Sequence, residues 1–140
     1  MSINCIRTLI EDANISNPNK NALIFGNEKL TYSELFTKVN QIAYYLSELD
    51  LPKGSRIGVY SNKGIDQVVA ILAILSTQYV LVPLTKLLKP EQVEYIIGDC
   101  DIKCIITDKI KLESIEEIKF NGHIISYETT HKELPSFEEI

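Results

Sequence analysis

The sequence has no tryptophan, one methionine, two histidines and three cysteines among its 140 residues. The cysteines (Cys5, Cys100 and Cys104) are odd in number and no two have the C-x-x-C spacing. With so few histidines beside them, the chain offers little from which to build a zinc site. We therefore expect free thiols buried in the protein, the usual state of structural cysteines in a reducing compartment.

Positive charge is also scarce. Fourteen Lys and Arg residues face nineteen Asp and Glu residues, so the net charge is −5. No basic stripe is available to neutralise phosphates, which argues against a nucleic-acid partner and against docking on an anionic membrane.

Long apolar runs are missing as well. The most apolar stretch, residues 68–84, is interrupted by Ser76, Thr77 and Gln78 and falls short of the roughly 20 residues that a transmembrane helix needs. The N-terminus has no basic segment followed by an apolar one, so no secretory signal is predicted. We expect a cytoplasmic protein without a membrane span.

The composition that remains is that of an ordinary globular protein, with 45% hydrophobic and 24% charged residues. A chain of this length can bury one good core and predicts one domain. Residues 55–84 form its centre. They read as a strand (56–60), a turn (61–64), a helix apolar on nearly every side (65–75) and a second buried strand (79–83). This βαβ pattern requires a parallel sheet, and such a helix must be packed on more than one side.

The flanking segments predict further elements. A helix over 4–15 comes first, with one buried face of Ile6, Leu9, Ile10 and Ala13, and a hairpin of strands 22–25 and 29–31 follows. Thr31 and Glu34 then form a capping box, and it opens a helix whose apolar stripe is Leu35, Val39, Ile42, Ala43, Leu46 and Leu49. After the central unit we expect a helix beginning at Pro90, a strand over 102–107, a short helix over 112–118 and a strand over 123–127.

The tail, residues 128–140, is only weakly patterned. Ser136 and Glu139 have the spacing of a helix N-terminus, but the sequence leaves no room for the helix, so we expect a truncated chain. Together these elements predict an α/β fold with three layers and a mostly parallel sheet with βαβ crossovers, as a single subdomain over residues 1–140.

Motifs that carry chemistry are absent. The sequence has neither of the glycine-rich phosphate-binding motifs and no G-x-S-x-G nucleophile elbow. Asp66 falls in the first turn of the central helix, where it would repel a phosphate. Lys63 is typical of a solvated turn residue and His123 of a structural strand residue. We accordingly assign no catalytic residue, no cofactor-binding residue and no metal ligand.

Four runs, in order and at the right spacing, resemble the N-terminal subdomain of adenylate-forming (AMP-binding) enzymes. They are LTYSEL (30–35), GSRIGV (54–59), YVLVPL (79–84) and LKPEQVEYII (88–97). The resemblance extends over residues 17–108. The sequence departs from the family in having Gln78 where a turn glycine is usual, and Thr85-Lys86 where Asp-Pro or Asn-Pro is usual.

The resemblance implies an AMP-forming acyl-CoA synthetase, with a place in fatty acid metabolism. Such a parent enzyme activates a carboxylic acid with ATP to an acyl-adenylate and transfers the acyl group to a thiol such as CoA. ATP, Mg and CoA are thereby implied for the parent. The family's phosphate loop, the rest of its large domain and its C-terminal domain have no matching positions here, so the fragment itself is expected to bind none of these cofactors and to be inactive.

Three alternatives stay open at this point. The chain could belong to an amino-acid adenylation domain of a peptide synthetase, it could be a stand-alone binding or assembly module without catalysis, or it could be an unrelated doubly wound domain. The expected partners of a fragment are the remainder of the parent enzyme, the carboxylic acid substrate of that parent, and a second copy of itself, since separation exposes apolar surface.

Overall fold

The structure, a computed structural model, describes residues 5–130 and 132–140. Eleven helices and strands follow one another along this part of the chain. They are α1 (Ile6–Ser16), β1 (Asn21–Phe25), β2 (Glu28–Thr31), α2 (Tyr32–Ser47), β3 (Arg56–Tyr60), α3 (Ile65–Leu75), β4 (Val80–Leu84), α4 (Pro90–Cys100), β5 (Ile102–Thr107), α5 (Lys109–Glu116) and β6 (His123–Ser126).

The central unit folds as the sequence predicts. β3 and β4 are parallel neighbours joined by α3, and β5 and β6 extend the same parallel sheet in the order β4-β3-β5-β6. β1 and β2 form a separate antiparallel hairpin. The α/β class with a parallel sheet and βαβ crossovers is confirmed.

The expectation that β4 is a buried strand is wrong. β4 lies at the edge of the sheet, where Val80 is 46% exposed. The backbone N–H of Val80 donates to the Ser55 carbonyl, and alternate residues of a strand face the same neighbour, so Leu81 and Pro83 turn their backbone groups outward. Pro83 therefore has its missing N–H on the open edge, the position that proline tolerates in a sheet.

α2 begins as the capping box predicts. The Thr31 hydroxyl accepts the Glu34 N–H at 3.2 Å, and the Glu34 carboxylate accepts the Thr31 N–H at 2.8 Å. These bonds satisfy two backbone donors that the first helical turn would leave unpaired. The predicted stripe is buried through Leu46, whereas Leu49 lies beyond the helix end at Ser47.

Helices cover both faces of the sheet. The α2/α3 face carries Ile57 and Val59 of β3 and packs against α2, α3 and part of α1. The α4/α5 face carries Tyr60 and packs against α4 and α5. α3 touches α2 as well as β3 and β4, which confirms that the apolar helix is packed on more than one side.

Two helix predictions need correction. In α1, Ile10 is buried but Leu9 is 60% exposed, because the helix meets the core chiefly along one line of contact with α2. Asn4, the predicted first residue of this helix, lies outside the described residues. α5 begins at Lys109, three residues before the predicted start, because the Asp108 carboxylate accepts the Lys111 N–H at 2.7 Å and caps the helix there.

The turn that contains Gln78 is not a glycine turn. Among the described residues, the non-glycine positions with positive φ are Asp50 and Asp101, and Gln78 is not one of them. The Thr77 hydroxyl instead donates to the Ile74 carbonyl at 2.6 Å and accepts the Tyr79 N–H at 3.1 Å. These bonds give the turn a shape that any residue can adopt.

The tail is better anchored than its pattern predicts. No helix begins at Ser136; a single turn closes there, and Ser136 pairs with Ser126 in an isolated parallel bridge beside β6. Phe137 and Ile140 pack against the α2/α3 face. The Ser136 carbonyl accepts the N–H groups of Glu139 and Ile140, so one turn forms, but the Ser136 hydroxyl contacts the Thr129 hydroxyl and does not cap this turn as predicted.

The three cysteines are free, as predicted, but only Cys104 is buried, while Cys100 is half-buried and Cys5 is exposed. β6 ends one residue before the predicted Tyr127. In the part of the chain that the structure describes, no helix is both long and apolar enough to cross a bilayer.

Candidate functional site

In open parallel sheets, ligand-binding sites lie at the edge formed by the carboxyl ends of the strands. After β3 the chain turns to α3 on one face, and after β5 it turns to α5 on the other face. The loops that follow β3 and β5 therefore separate, and doubly wound proteins bind ligands in the crevice that such a reversal leaves.

In this chain, the crevice is bridged by the Asp108 carboxylate. One of its oxygens accepts the Asn62 backbone N–H at 2.7 Å and the Asn62 side-chain amide at 2.9 Å, while the other caps α5 at Lys111. Asp108 is 7% exposed. We call the contact between Asp108 and Asn62 the clasp. It is stable because hydrogen bonds from three N–H donors compensate the charge of this nearly buried carboxylate.

A second contact ties β3 to the end of β6. The Ser61 and Tyr127 hydroxyls lie 2.8 Å apart, and both residues are buried. Burial raises the pKa of the Tyr127 hydroxyl well above its ordinary value, and the hydrogen bond with Ser61 offsets only part of that rise. Tyr127 therefore stays protonated near neutral pH and cannot serve as a base.

Two more hydrogen bonds complete the same edge. The Thr107 hydroxyl donates to the Tyr60 carbonyl at 2.7 Å, and the Tyr60 hydroxyl donates to the Leu88 carbonyl at 2.8 Å. Side chains from β3 and β5 are thus bonded to backbone groups of their neighbours, which makes this edge rigid.

An acidic cleft of about 400 Å³ opens beside the hairpin. Its carboxylates come from Glu28, Asp66, Glu128 and Glu138. Burial raises the pKa of the Asp66 carboxyl, Lys38 opposes the rise, and the carboxylates of Glu128, Glu28 and Glu138 add to it. The described residues include no group of three or more potential ligands that could hold a metal ion.

A different pocket lies on the other side of the 61–64 turn. This lysine pocket, of about 300 Å³, is lined by Lys63 and Lys86 together with Gln67 and Thr85. From the sequence alone, Lys63 is expected to be a solvated turn residue. The two lysines are 23 residues apart in the chain, and they meet because β3 and β4 are parallel neighbours that end at the same edge.

Neither histidine joins these features. His123 begins β6, at the amino edge of the sheet, and His131 lies outside the described residues. Cys104, in β5, has its pKa raised by burial to about 12, so it is not an activated nucleophile. The geometry therefore adds no catalytic residue to those considered from the sequence.

Comparisons with known proteins agree on one family. The family model described as "AMP-binding enzyme" matches residues 10–139. Gramicidin S synthase 1 of Brevibacillus brevis is 33% identical over 88% of this chain, and tyrocidine synthase 1 of Brevibacillus parabrevis is 31% identical over 86% of it. The chain spans 11% of the length of each of these relatives.

A solved structure shows the same fold. The anthranilate CoA ligase AuaEII in complex with anthranoyl-AMP matches 97% of this chain with a TM-score of 0.88 and 25% identity, and the match covers 27% of that ligase. The similarity includes the parallel sheet, its helices and the hairpin region, since almost the whole chain is superposed.

Proposed function

We propose a function from the premise that this chain belongs to the AMP-binding enzyme family, whose model covers residues 10–139. Its role is that of a structural subdomain in a longer enzyme that activates a carboxylic acid. In that reaction a carboxylate oxygen attacks the α-phosphorus of ATP and pyrophosphate leaves. A thiol then attacks the carbonyl of the acyl-adenylate and displaces AMP.

One observation supports the structural role above all. At the reversal between β3 and β5, Asp108 is hydrogen bonded to Asn62, and the pocket of about 260 Å³ that opens beside this contact is also lined by Glu28, Asp66 and Glu128. The position where a doubly wound fold would hold a ligand is therefore occupied in part by a structural contact and is acidic. A subdomain built in this way supplies a rigid edge to its neighbours and leaves the chemistry to other parts of the enzyme.

The acidic cleft does not fit the nucleotide that the family implies. ATP carries a triphosphate and Mg²⁺, whereas the acidic cleft presents carboxylates that would repel the phosphates. No group of three potential metal ligands accompanies them in the described part of the chain. We therefore assign no step of the reaction to this chain's residues.

For the carboxylic acid, an amino acid is the first candidate. The curated relatives with 33% and 31% identity are peptide synthetases, which supports an amino-acid adenylation enzyme with a carrier-bound thiol as acceptor. The second candidate is an acyl-CoA ligase, the class favoured from the sequence; the 25% identity to the anthranilate CoA ligase supports it.

The decisive experiment uses the complete reading frame that contains residues 1–140. The expressed protein is assayed for carboxylate-dependent ATP–pyrophosphate exchange with amino acids, aromatic acids and fatty acids in parallel. Exchange with an amino acid supports the first candidate. Thioester formation with CoA from an aromatic or fatty acid supports the second, and a full-length protein without exchange on any acid overturns both.

The 140-residue chain serves as the matched control. We expect it to fold but to show no exchange above the reaction without carboxylate. Clear exchange by this chain alone would contradict the structural role, and a reading frame that stops at Ile140 would favour the binding or assembly module instead.

A further inference from the structure

The lysine pocket differs in character from the rest of the surface. It lies between the loop after β3 and the loop after β4, and its charged residues are Lys63 and Lys86. We propose that this pocket binds a small phosphate-bearing anion. The inference concerns a site on this chain itself and does not depend on the activity of the longer enzyme.

Electrostatics favours an anion in the lysine pocket more than in the acidic cleft. No carboxylate lines the lysine pocket, whereas the acidic cleft on the other side of the 61–64 turn is lined by four. Lys63 and Gln67 also line the neighbouring pocket that contains Asp108, so the change from basic to acidic lining takes place across these two side chains. In a protein of net charge −5, a pocket with two cations and no carboxylate attracts anions locally despite the overall repulsion.

The pocket also offers hydrogen-bond donors that the protein does not use. The Gln67 amide reaches the Ser61 carbonyl only at 3.5 Å, at the long limit of a hydrogen bond. The Thr85 hydroxyl accepts the Leu87 N–H at 3.4 Å, which leaves its own proton free. Two lysines, an amide and a hydroxyl therefore converge on one cavity with donors to spare, as tetrahedral oxyanions require.

The apolar part of the lining is one buried and one exposed leucine. Leu84 is 5% exposed and Leu87 is 81% exposed. The pocket is therefore closed on the side of Leu84 and open to water on the side of Leu87. The volume of about 300 Å³ lies at the small end of ligand pockets, so it has room for a phosphate group together with a small part of the molecule that carries it.

The ligand is a phosphate group and not a carboxylate, because the two lysines approach from separate loops. Lys63 follows β3, and Lys86 follows β4. A tetrahedral dianion can accept from both sides at once, whereas a carboxylate presents one planar face and half of the charge. Inorganic phosphate and acetate are therefore the probes that separate the two classes of anion.

The test is a titration of the isotopically labelled chain with inorganic phosphate at constant ionic strength, followed by the amide signals of its two-dimensional NMR spectrum. We expect saturable shifts centred on Thr85, Lys86 and Gln67 at millimolar phosphate, with weaker effects from acetate. The double variant with Lys63→Gln and Lys86→Gln should weaken binding at least about tenfold.

The matched control removes two lysines that lie elsewhere, Lys53→Gln and Lys109→Gln, and so makes the same change in net charge. Both of these side chains are exposed and neither lines the pocket. Both double variants must retain the wild-type spectrum outside the substituted sites. Equal weakening in the control, shifts that never saturate, or acetate binding as tight as phosphate binding would each overturn the proposal.

Discussion

On one face of the sheet, α2 buries five residues and α3 buries four. On the other, α4 buries only Val93, and α5 buries Leu112 and Ile115. Both faces are apolar in sequence, but α3 is apolar on nearly every side, whereas α4 and α5 are amphipathic. The difference lies in the second layer. α3 is itself covered by α2 and α1, whereas α4 and α5 have solvent on their outer sides.

The two faces of the sheet differ in how much stability their buried side chains contribute. Side chains between α2, α3 and the sheet are surrounded on all sides, so their removal leaves a cavity that cannot collapse. Side chains under α4 and α5 have half-buried neighbours that can move into a gap. The α2/α3 face should therefore behave as the rigid part of the core and the α4/α5 face as the adaptable part.

Thiol reactivity gives the largest contrast between the faces. Cys104 belongs to the α2/α3 face, and burial raises its pKa to about 12, so about one molecule in ten thousand carries its thiolate at pH 8. Cys100 is half-buried on the α4/α5 face. We expect a disulfide reagent to label Cys5 first, then Cys100, and Cys104 only on unfolding.

Cys5 is the internal reference in that experiment, because it is exposed and its pKa is lowered by the hydrogen bond with Thr8. Labelling is followed by peptide mass spectrometry over time. Equal rates at Cys100 and Cys104 in the folded protein would remove the distinction between the faces.

One buried isoleucine on each face allows the stability contributed by the two faces to be compared directly. Ile74 in α3 and Ile115 in α5 are 0% and 2% exposed, so the same side chain can be shortened on each face. We expect Ile74→Ala to lower the free energy of unfolding by about 4 kcal/mol and Ile115→Ala by about 2 kcal/mol. Urea denaturation measures both, and a larger loss for Ile115→Ala would reverse the comparison.

Gly122 and Gly98, both near the α4/α5 face, differ in the space that surrounds them. A Cβ at Gly122 would collide with the Phe120 ring and the Lys103 carbonyl, whereas nothing lies near a Cβ at Gly98 in α4. Gly122→Ala should therefore cost about 1–3 kcal/mol. Gly98→Ala should stabilise the protein by about 0.5–1 kcal/mol, because alanine favours a helix interior. Thermal unfolding of both variants checks this, and a neutral Gly122→Ala would show that even this corner is adaptable.

The smallest effect concerns Asp66, at the start of α3. Its carboxyl pKa is raised, so the folded state binds a proton more tightly than the unfolded state does, and stability falls as the pH rises through the raised pKa. Asp66→Asn removes this pH dependence. The gain at neutral pH should be below about 1 kcal/mol, because Asp66 is only half-buried and solvent screens its charge.

The readout for Asp66 is the difference in unfolding free energy between the wild type and Asp66→Asn across pH. We expect the difference to be smallest in acid and to grow toward neutral pH in favour of the variant. A difference that grows toward acid would mean that the favourable interaction of Asp66 with the helix N-terminus outweighs the cost of burial.

Much of the fold could be predicted from the sequence because it is encoded locally. The Thr31–Glu34 capping box lies within four residues, and the bounds of β3 and α3 follow from adjacent turn residues and apolar runs. The exposure of β4 could not be predicted in the same way. Whether a strand is central or at an edge depends on strand order, and the local signal for an edge in this segment is Pro83, since proline within a strand is confined mainly to edges.

The candidate site was harder to predict for the same reason. Asn62 and Asp108 are 46 residues apart in the chain, and Lys63 and Lys86 are 23 residues apart. Each residue alone is an ordinary polar loop residue. Only the parallel arrangement of β3, β4 and β5 places their ends together, so the clasp and the lysine pocket are properties of the topology.

Pro83 has a consequence for how the chain behaves at high concentration. A fibril grows when each exposed strand offers a regular row of backbone donors and acceptors to the next chain, at a spacing of about 4.7 Å. On the open side of β4 that row would need Leu81 and Pro83, and proline has no donor to give. The self-association predicted from the sequence would then proceed through side-chain contacts, which dilution reverses, and not through templated growth of the sheet.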